Sequence, residues 1–137
     1  CQDALIFVPE DKETADVVIA DLPCSGLGVI GRKADIKYRV TPEDITSLAN
    51  LQRDILTVVS EYVKPGGVLI YSTCTVNREE NHENAEWFEK NFPFKLESLE
   101  GYLPEGMCPE TVKQGYVQLL PGDYDTDGFF IARFRKN

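Results

Sequence analysis

Two short apolar runs divide the chain: Val17-Val18-Ile19-Ala20 and Val68-Leu69-Ile70-Tyr71. Each is apolar on consecutive residues rather than on alternate ones, the pattern of parallel strands buried on both faces. The predicted strands are 17–22 and 68–73. Between them, Thr41-Pro42-Glu43-Asp44 reads as a helix start, with an N-cap Thr, Pro at the first position and Asp44 at the capping-box offset. Ile45, Leu48, Leu51, Ile55, Val58, Val59 and Tyr62 then recur at helical spacing, so one apolar stripe runs to about Val63. Lys64-Pro65-Gly66-Gly67 ends that helix and turns the chain into the second strand. Strand, helix and strand make a right-handed βαβ crossover.

The flanks are less regular. Residues 1–7 are too few to assign, and 9–15 read as a polar loop with room for a helical turn. A second helix is expected over 77–91, with Ala85, Trp87 and Phe88 on its apolar side and His82 on its surface. Residues 94–99, 116–120 and 129–134 read as further strands, separated by a loop at 101–115 and a turn-rich segment at 121–128. Strands that follow the helices in this way suit an antiparallel edge on a parallel sheet.

Gly26, Gly28 and Gly31 spell G-x-G-x-x-G after the first strand. A dinucleotide fingerprint also needs a helix opening at the third glycine and an acid about 20 residues on, at the end of a second strand. Neither is present, so the glycines indicate only a loop whose backbone can approach something closely.

Composition changes the picture in three ways. At 137 residues the chain is one domain's worth, and no apolar run approaches the about 18 residues of a membrane span. It opens on Cys1 rather than Met, which suggests a piece or a processed product of a longer protein. The four cysteines, Cys1, Cys24, Cys74 and Cys108, have no C-x-x-C spacing, so neither zinc nor a disulfide framework is expected, and reduced thiols in the cytoplasm are the economical reading. The net charge of −9 argues against a surface that grips nucleic acid over its whole extent. Arg32, Lys33, Lys37 and Arg39 are a basic exception, read either as a solvated loop or as local phosphate contacts.

The candidate chemistry lies where the two strands end. In open α/β sheets, ligands bind at the carboxyl ends of the strands. Asp21-Leu22-Pro23-Cys24-Ser25-Gly26 follows the first strand and Ser72-Thr73-Cys74-Thr75 ends the second, placing two thiols and the Asp21 carboxyl at one edge. A cysteine thiolate adds to an electron-poor carbon and leaves it easily, which suits covalent catalysis. A free cysteine, with a pKa of about 8.5, is only a few per cent thiolate at neutral pH, so its surroundings must assist. Spacing alone does not say which cysteine attacks. Two buried packing cysteines are the competing reading.

The pairing of Asp-x-Pro-Cys with a later Thr-Cys resembles the Sun/Nop-type RNA cytosine-5 methyltransferases. Glu79-Glu80-Asn81 and Asp127-Gly128-Phe129-Phe130 extend the likeness over most of the chain. The resemblance implies a Rossmann-like class I methyltransferase fold that uses S-adenosyl-L-methionine, with RNA, in particular ribosomal RNA, as substrate. It implies Cys74 as the nucleophile, Cys24 as the residue of product release, Asp21 as the acid beside base and cofactor, and Asp3 as the acid for the cofactor's adenine. It also implies that 1–137 is the C-terminal part of a catalytic domain, inactive alone, with the glycine-rich cofactor half and any RNA-binding domain outside it. An exposed apolar edge on the first strand, and self-association through it, are then expected. The alternatives are a DNA cytosine-5 methyltransferase, in which the Pro-Cys cysteine attacks, and a non-catalytic α/β binding module.

Overall fold

The computed structural model describes residues 1–107 and 109–137; the reading of Cys108 as a reduced thiol lies outside them. Its elements are β1 (Ala15–Asp21), α1 (Ile36–Arg39), α2 (Pro42–Ser60), β2 (Val63–Thr73), α3 (His82–Asn91), β3 (Phe94–Leu96), β4 (Tyr116–Leu119) and β5 (Phe129–Lys136), with short 3₁₀ turns between. β1 and β2 pair in parallel, with Asp21 opposite Ser72 at their carboxyl ends. β5 runs antiparallel to β2, to β3 and to β4, giving a mixed sheet of order β1-β2-β5-β3 with β4 also on β5.

The expected crossover is present. Thr41 accepts a hydrogen bond from the Asp44 amide and Asp44 one from the Thr41 amide, a complete capping box at the start of α2. The buried side of α2 brings Ile55 and Leu56 toward the sheet, where Leu56 joins Leu69, Tyr71, Phe88, Phe94, Phe130 and Phe134 in one core. Val112, Val117, Leu119 and Leu99 form a smaller cluster, joined by Phe129 and Ile131 of β5. No helix among the described residues is long and apolar enough to cross a membrane.

Several expectations need correction. β1 is not buried on both faces: Val17 and Ile19 are 57% and 73% exposed, while Ala20 and the neighbouring Val18 meet the core. Among the described residues β1 pairs only with β2, which leaves its other edge and one of its faces uncovered. β2 begins at Val63, before Pro65-Gly66-Gly67, and accommodates them as an irregularity in its register with β1. β3 ends at Leu96, and the 101–115 loop contains a 3₁₀ turn at Glu110–Gln114. The late strands do gather antiparallel on the far side of β2, as expected, with β5 between β2 and β3 and its Phe130, Ala132 and Phe134 buried. α3 starts at His82 rather than at 77, because Glu80 and Asn81 are buried and turned toward the strand ends instead of continuing a helix.

Candidate active site at the carboxyl ends of β1 and β2

Parallel pairing of β1 with β2 sends the chain out of both strands at one edge of the sheet. The Leu22 amide donates to the Ser72 carbonyl (3.0 Å), and the Ser72 hydroxyl donates to Asp21 Oδ1 (3.0 Å). The two turns that follow face each other, and Cys24 Sγ lies 3.3 Å from Cys74 Sγ, both thiols free and half-buried. Burial first, and then the hydrogen bond with Cys74, push the Cys24 thiol up from its ordinary 9.0 to about 12. Cys24 therefore keeps its proton at neutral pH, and in the contact between the sulfurs either thiol can donate.

The Cys24 turn has no regular backbone bonding, so side chains must hold it. Gln52 Nε2 of α2 donates to the Pro23 carbonyl (2.8 Å) and to Glu80 Oε1 (3.1 Å). The Ser25 amide donates to Glu80 Oε1 (2.8 Å) and the Ser25 hydroxyl to Glu80 Oε2 (2.5 Å). The Ser25 and Thr75 hydroxyls are 2.8 Å apart, which links the two cysteine turns directly. The Tyr71 hydroxyl is buried against Gln52 Oε1 (3.1 Å) and the Glu80 carbonyl, and burial raises its pKa. Asn81 holds the Cys74 turn: Thr73 donates to its Oδ1 (2.5 Å) and its Nδ2 donates to the Thr75 carbonyl (2.9 Å).

The glycines close the site from below. The Gly28 amide donates to the Cys74 carbonyl (3.0 Å), and the Gly128 amide donates to the Gly28 carbonyl (2.8 Å). A Cβ on Gly28 would lie 2.7 Å from the Cys74 oxygen, so the close backbone approach expected of this loop is met here. An open groove of about 460 Å³ runs from Cys24 and Ser25 along Arg39, Val40, Asp44, Ser47, Leu48 and Leu51.

Asp21, Cys24 and Cys74 are thus brought together. Asp3 is not joined to them by any hydrogen bond; it accepts the Leu5 amide (3.0 Å) in an exposed N-terminal turn. Of the basic cluster, Arg32 pairs with Asp127 (2.8 Å) and Arg39 with Asp35 (3.4 Å), whereas Lys33 and Lys37 form no ion pair among the described residues. The His82 ring lies tilted against Tyr116, with centroids 5.0 Å apart, and its Nε2 is 3.1 Å from Glu86 Oε1. No cluster of three metal-ligating side chains occurs among the described residues. Sequence reasoning assigned no role to Gln52, Ser25, Glu80 or Asn81. The available signal was the Glu79-Glu80-Asn81 run just past Thr-Cys, which belongs to the family likeness but by its polarity alone reads as a helix surface.

Comparison with known proteins identifies the family. The chain is 46% identical over 128 residues to the probable ribosomal RNA small subunit methyltransferase B of Bacillus subtilis (strain 168), covering 92% of this chain and 28% of that protein. It is 39% identical over 136 residues to the ribosomal RNA small subunit methyltransferase F of Pectobacterium atrosepticum, covering 98% of this chain and 28% of that one. The chain therefore spans about 28% of the length of these relatives. Among solved structures, that of PH0851 superposes with a TM-score of 0.80 at 36% identity, over 91% of this chain and 27% of that one. NSun6 from Pyrococcus horikoshii with SFG gives 0.71 at 31% identity, over 86% of this chain and 29% of that one. Residues 5–135 match the family described as 16S rRNA methyltransferase RsmB/F, and with that match the chain belongs to this family of ribosomal RNA cytosine-5 methyltransferases.

Proposed function

We propose that these residues form the C-terminal part of an S-adenosyl-L-methionine-dependent catalytic domain of Rossmann-like class I fold, which methylates carbon 5 of a cytosine in ribosomal RNA through a covalent bond to Cys74. The observation that carries the reading is the 3.3 Å approach of Cys24 and Cys74 beside Asp21, at the carboxyl ends of two parallel strands. The family likeness gives the attack to the Thr-Cys cysteine, Cys74, and burial of the Cys24 thiol, which disfavours its thiolate, supports that order. The Cys74 sulfur bonds to carbon 6, and the electron pair moves to carbon 5, which takes up a methyl group. Asp21 faces the base edge, where proton donation to N3 would neutralise the charge that develops in the ring.

Release needs a base to take the carbon-5 proton; the carbon–sulfur electron pair then returns to Cys74. Two of the causes that hold the Cys24 proton in place are the hydrogen bond and the charge of Cys74. Both weaken once the Cys74 sulfur is in a covalent bond, so Cys24 becomes easier to ionise at the stage that requires a base.

The Asp21 carboxylate is exposed and accepts one hydrogen bond, from Ser72, so it has acceptor capacity left for a cationic ligand. A carboxylate acceptor of this kind fits the cationic methionine end of S-adenosyl-L-methionine, which would supply an electrophilic methyl group and leave as the neutral thioether. Asp3 is the candidate for its adenine. With a net charge of −9, most of the grip on RNA belongs to other parts of the full-length enzyme, and Arg32, Lys33, Lys37 and Arg39 supply local phosphate contacts. Two reduced thiols at the reacting centre suit the cytoplasm.

The test is a denaturing gel of full-length enzyme with its RNA, on which only covalent complexes survive. Cys74→Ala is expected to form no adduct, whereas Cys24→Ala is expected to attack, methylate and accumulate adduct. Loss of adduct in Cys24→Ala and persistence in Cys74→Ala would reverse the assignment, the pattern of the DNA-type enzymes. Absence of adduct from every variant would favour a non-catalytic module.

A further inference from the structure

Glu80 is fully buried, and no Lys or Arg among the described residues pairs with it. Its two oxygens instead collect three hydrogen bonds from uncharged donors, the Ser25 amide, the Ser25 hydroxyl and Gln52 Nε2. A buried carboxyl without a cationic partner is costly, and its bonds are therefore strongly selective for geometry. The bonds are not spread over the fold. Two fall on the residue after Cys24, and the third comes from the side chain that also holds the carbonyl of the residue before Cys24. The Ser25 hydroxyl is in turn 2.8 Å from Thr75, the residue after Cys74.

We propose that Glu80 is a positioning residue for the two-cysteine site: its buried carboxyl holds the Pro23–Ser25 turn against α2 and Thr75, and so sets the separation of the Cys24 and Cys74 sulfurs. The inference rests on the reading of these cysteines as the reacting pair and adds the group that aligns them. Asn81 does the complementary work on the other turn, bonding Thr73 and Thr75 on either side of Cys74. Two consecutive residues, both turned inward before α3, thereby bracket both sulfurs. A carboxyl suits the position because all three groups facing it donate. Gln at 80 would present an amide to one of these donors, and the Ser25 hydroxyl can answer by accepting from it and donating to Thr75. Ala at 80 leaves all three donors without their acceptor.

The test reads the thiols directly and needs no methyl transfer. Full-length protein is treated with iodoacetamide from pH 7 to 10, and alkylation of each cysteine is followed by mass spectrometry, with Cys1, which lies outside the two-cysteine site, as internal reference. In the native protein Cys24 should react slowly, because burial and the contact with Cys74 hold its proton up to about 12. A Cys24 thiol released toward an ordinary pKa gains roughly three decades in thiolate fraction and gives back nearly half of that in intrinsic nucleophilicity. Glu80→Ala should therefore accelerate Cys24 at least about tenfold relative to Cys1 and move its pH profile downward. Ser25→Ala, which removes one of the three bonds and the Thr75 link, should give a smaller rise in the same direction. Glu80→Gln should stay within about threefold of the parent. Leu99→Ala, in the separate small cluster, should leave Cys24 unchanged.

An unchanged Cys24 profile in Glu80→Ala or in Ser25→Ala overturns the proposal, and so does an equal rise in Leu99→Ala, which would mean general loosening. If Glu80→Ala does not fold, the Ser25→Ala and Glu80→Gln arms decide. Failure of the functional reading would show instead as the wrong adduct pattern, with these alkylation rates untouched.

Discussion

Gly28 offers the sharpest test of how this site is assembled. Its backbone touches two other segments at once, donating to the Cys74 carbonyl (3.0 Å) and accepting from the Gly128 amide (2.8 Å). In Gly28→Ala the new Cβ would meet the carbonyl carbon of Gly128 and the Cys74 oxygen, both at 2.7 Å, as well as the Gly128 oxygen. These are backbone atoms, and no side chain can swing away to relieve them. Overpacking of this kind costs about 1–3 kcal/mol. Separating the segments also weakens two backbone hydrogen bonds, each worth about 0.5–1.5 kcal/mol net. The expected loss is about 2–5 kcal/mol, a large share of the roughly 5–15 kcal/mol that stabilises an ordinary domain. Urea unfolding followed by circular dichroism should show the midpoint falling by about 1 M or more at an unchanged slope. Gly31→Ala is the matched control, since nothing lies within 4 Å of a Cβ there, and it should stay within about 0.5 kcal/mol of the parent. A Gly28→Ala midpoint as close to the parent as that of Gly31→Ala would refute the reasoning, because the three segments would not be in contact as described.

Alkaline pH should also weaken the fold. The folded state keeps the Cys24 proton to about pH 12 while an ordinary thiol loses it near 9.0, so the stability this group contributes is whole below pH 9 and declines as pH rises toward 12; buried Tyr71 acts in the same direction. Urea midpoints measured at pH 8 and 10.5 should fall in the parent and fall less in Cys24→Ala, and equal slopes would count against the assignment. The open edge of β1, with Val17 and Ile19 exposed, should drive strand-to-strand association of the isolated chain. Sedimentation should show self-association that Ile19→Lys reduces, and a monomer at high concentration in the parent would contradict it.

The sequence by itself determined what is local. The capping box at Thr41 and Asp44 and the apolar stripe that follows specify α2, because hydrogen bonds three residues apart and a 3.6-residue period need no knowledge of distant chain. Two apolar runs around that helix specified a parallel pair, and hence that Asp21, Cys24 and Cys74 would leave the sheet at one edge. Other features depended on which surfaces meet. The apolarity of Val17 and Ile19 announces a strand, but their exposure follows from what covers β1, which local pattern does not encode. The insertion of β5 between β2 and β3 joins residues that are far apart in sequence. Glu80 and Asn81 read as the start of a polar helix until the fold brings Ser25, Thr73 and Thr75 to them. The 3.3 Å between the sulfurs, and with it the raised pKa of Cys24, belongs to this last group. Spacing along the chain brings two thiols to one edge, but burial and the contact between the sulfurs, both products of tertiary packing, raise the pKa of Cys24.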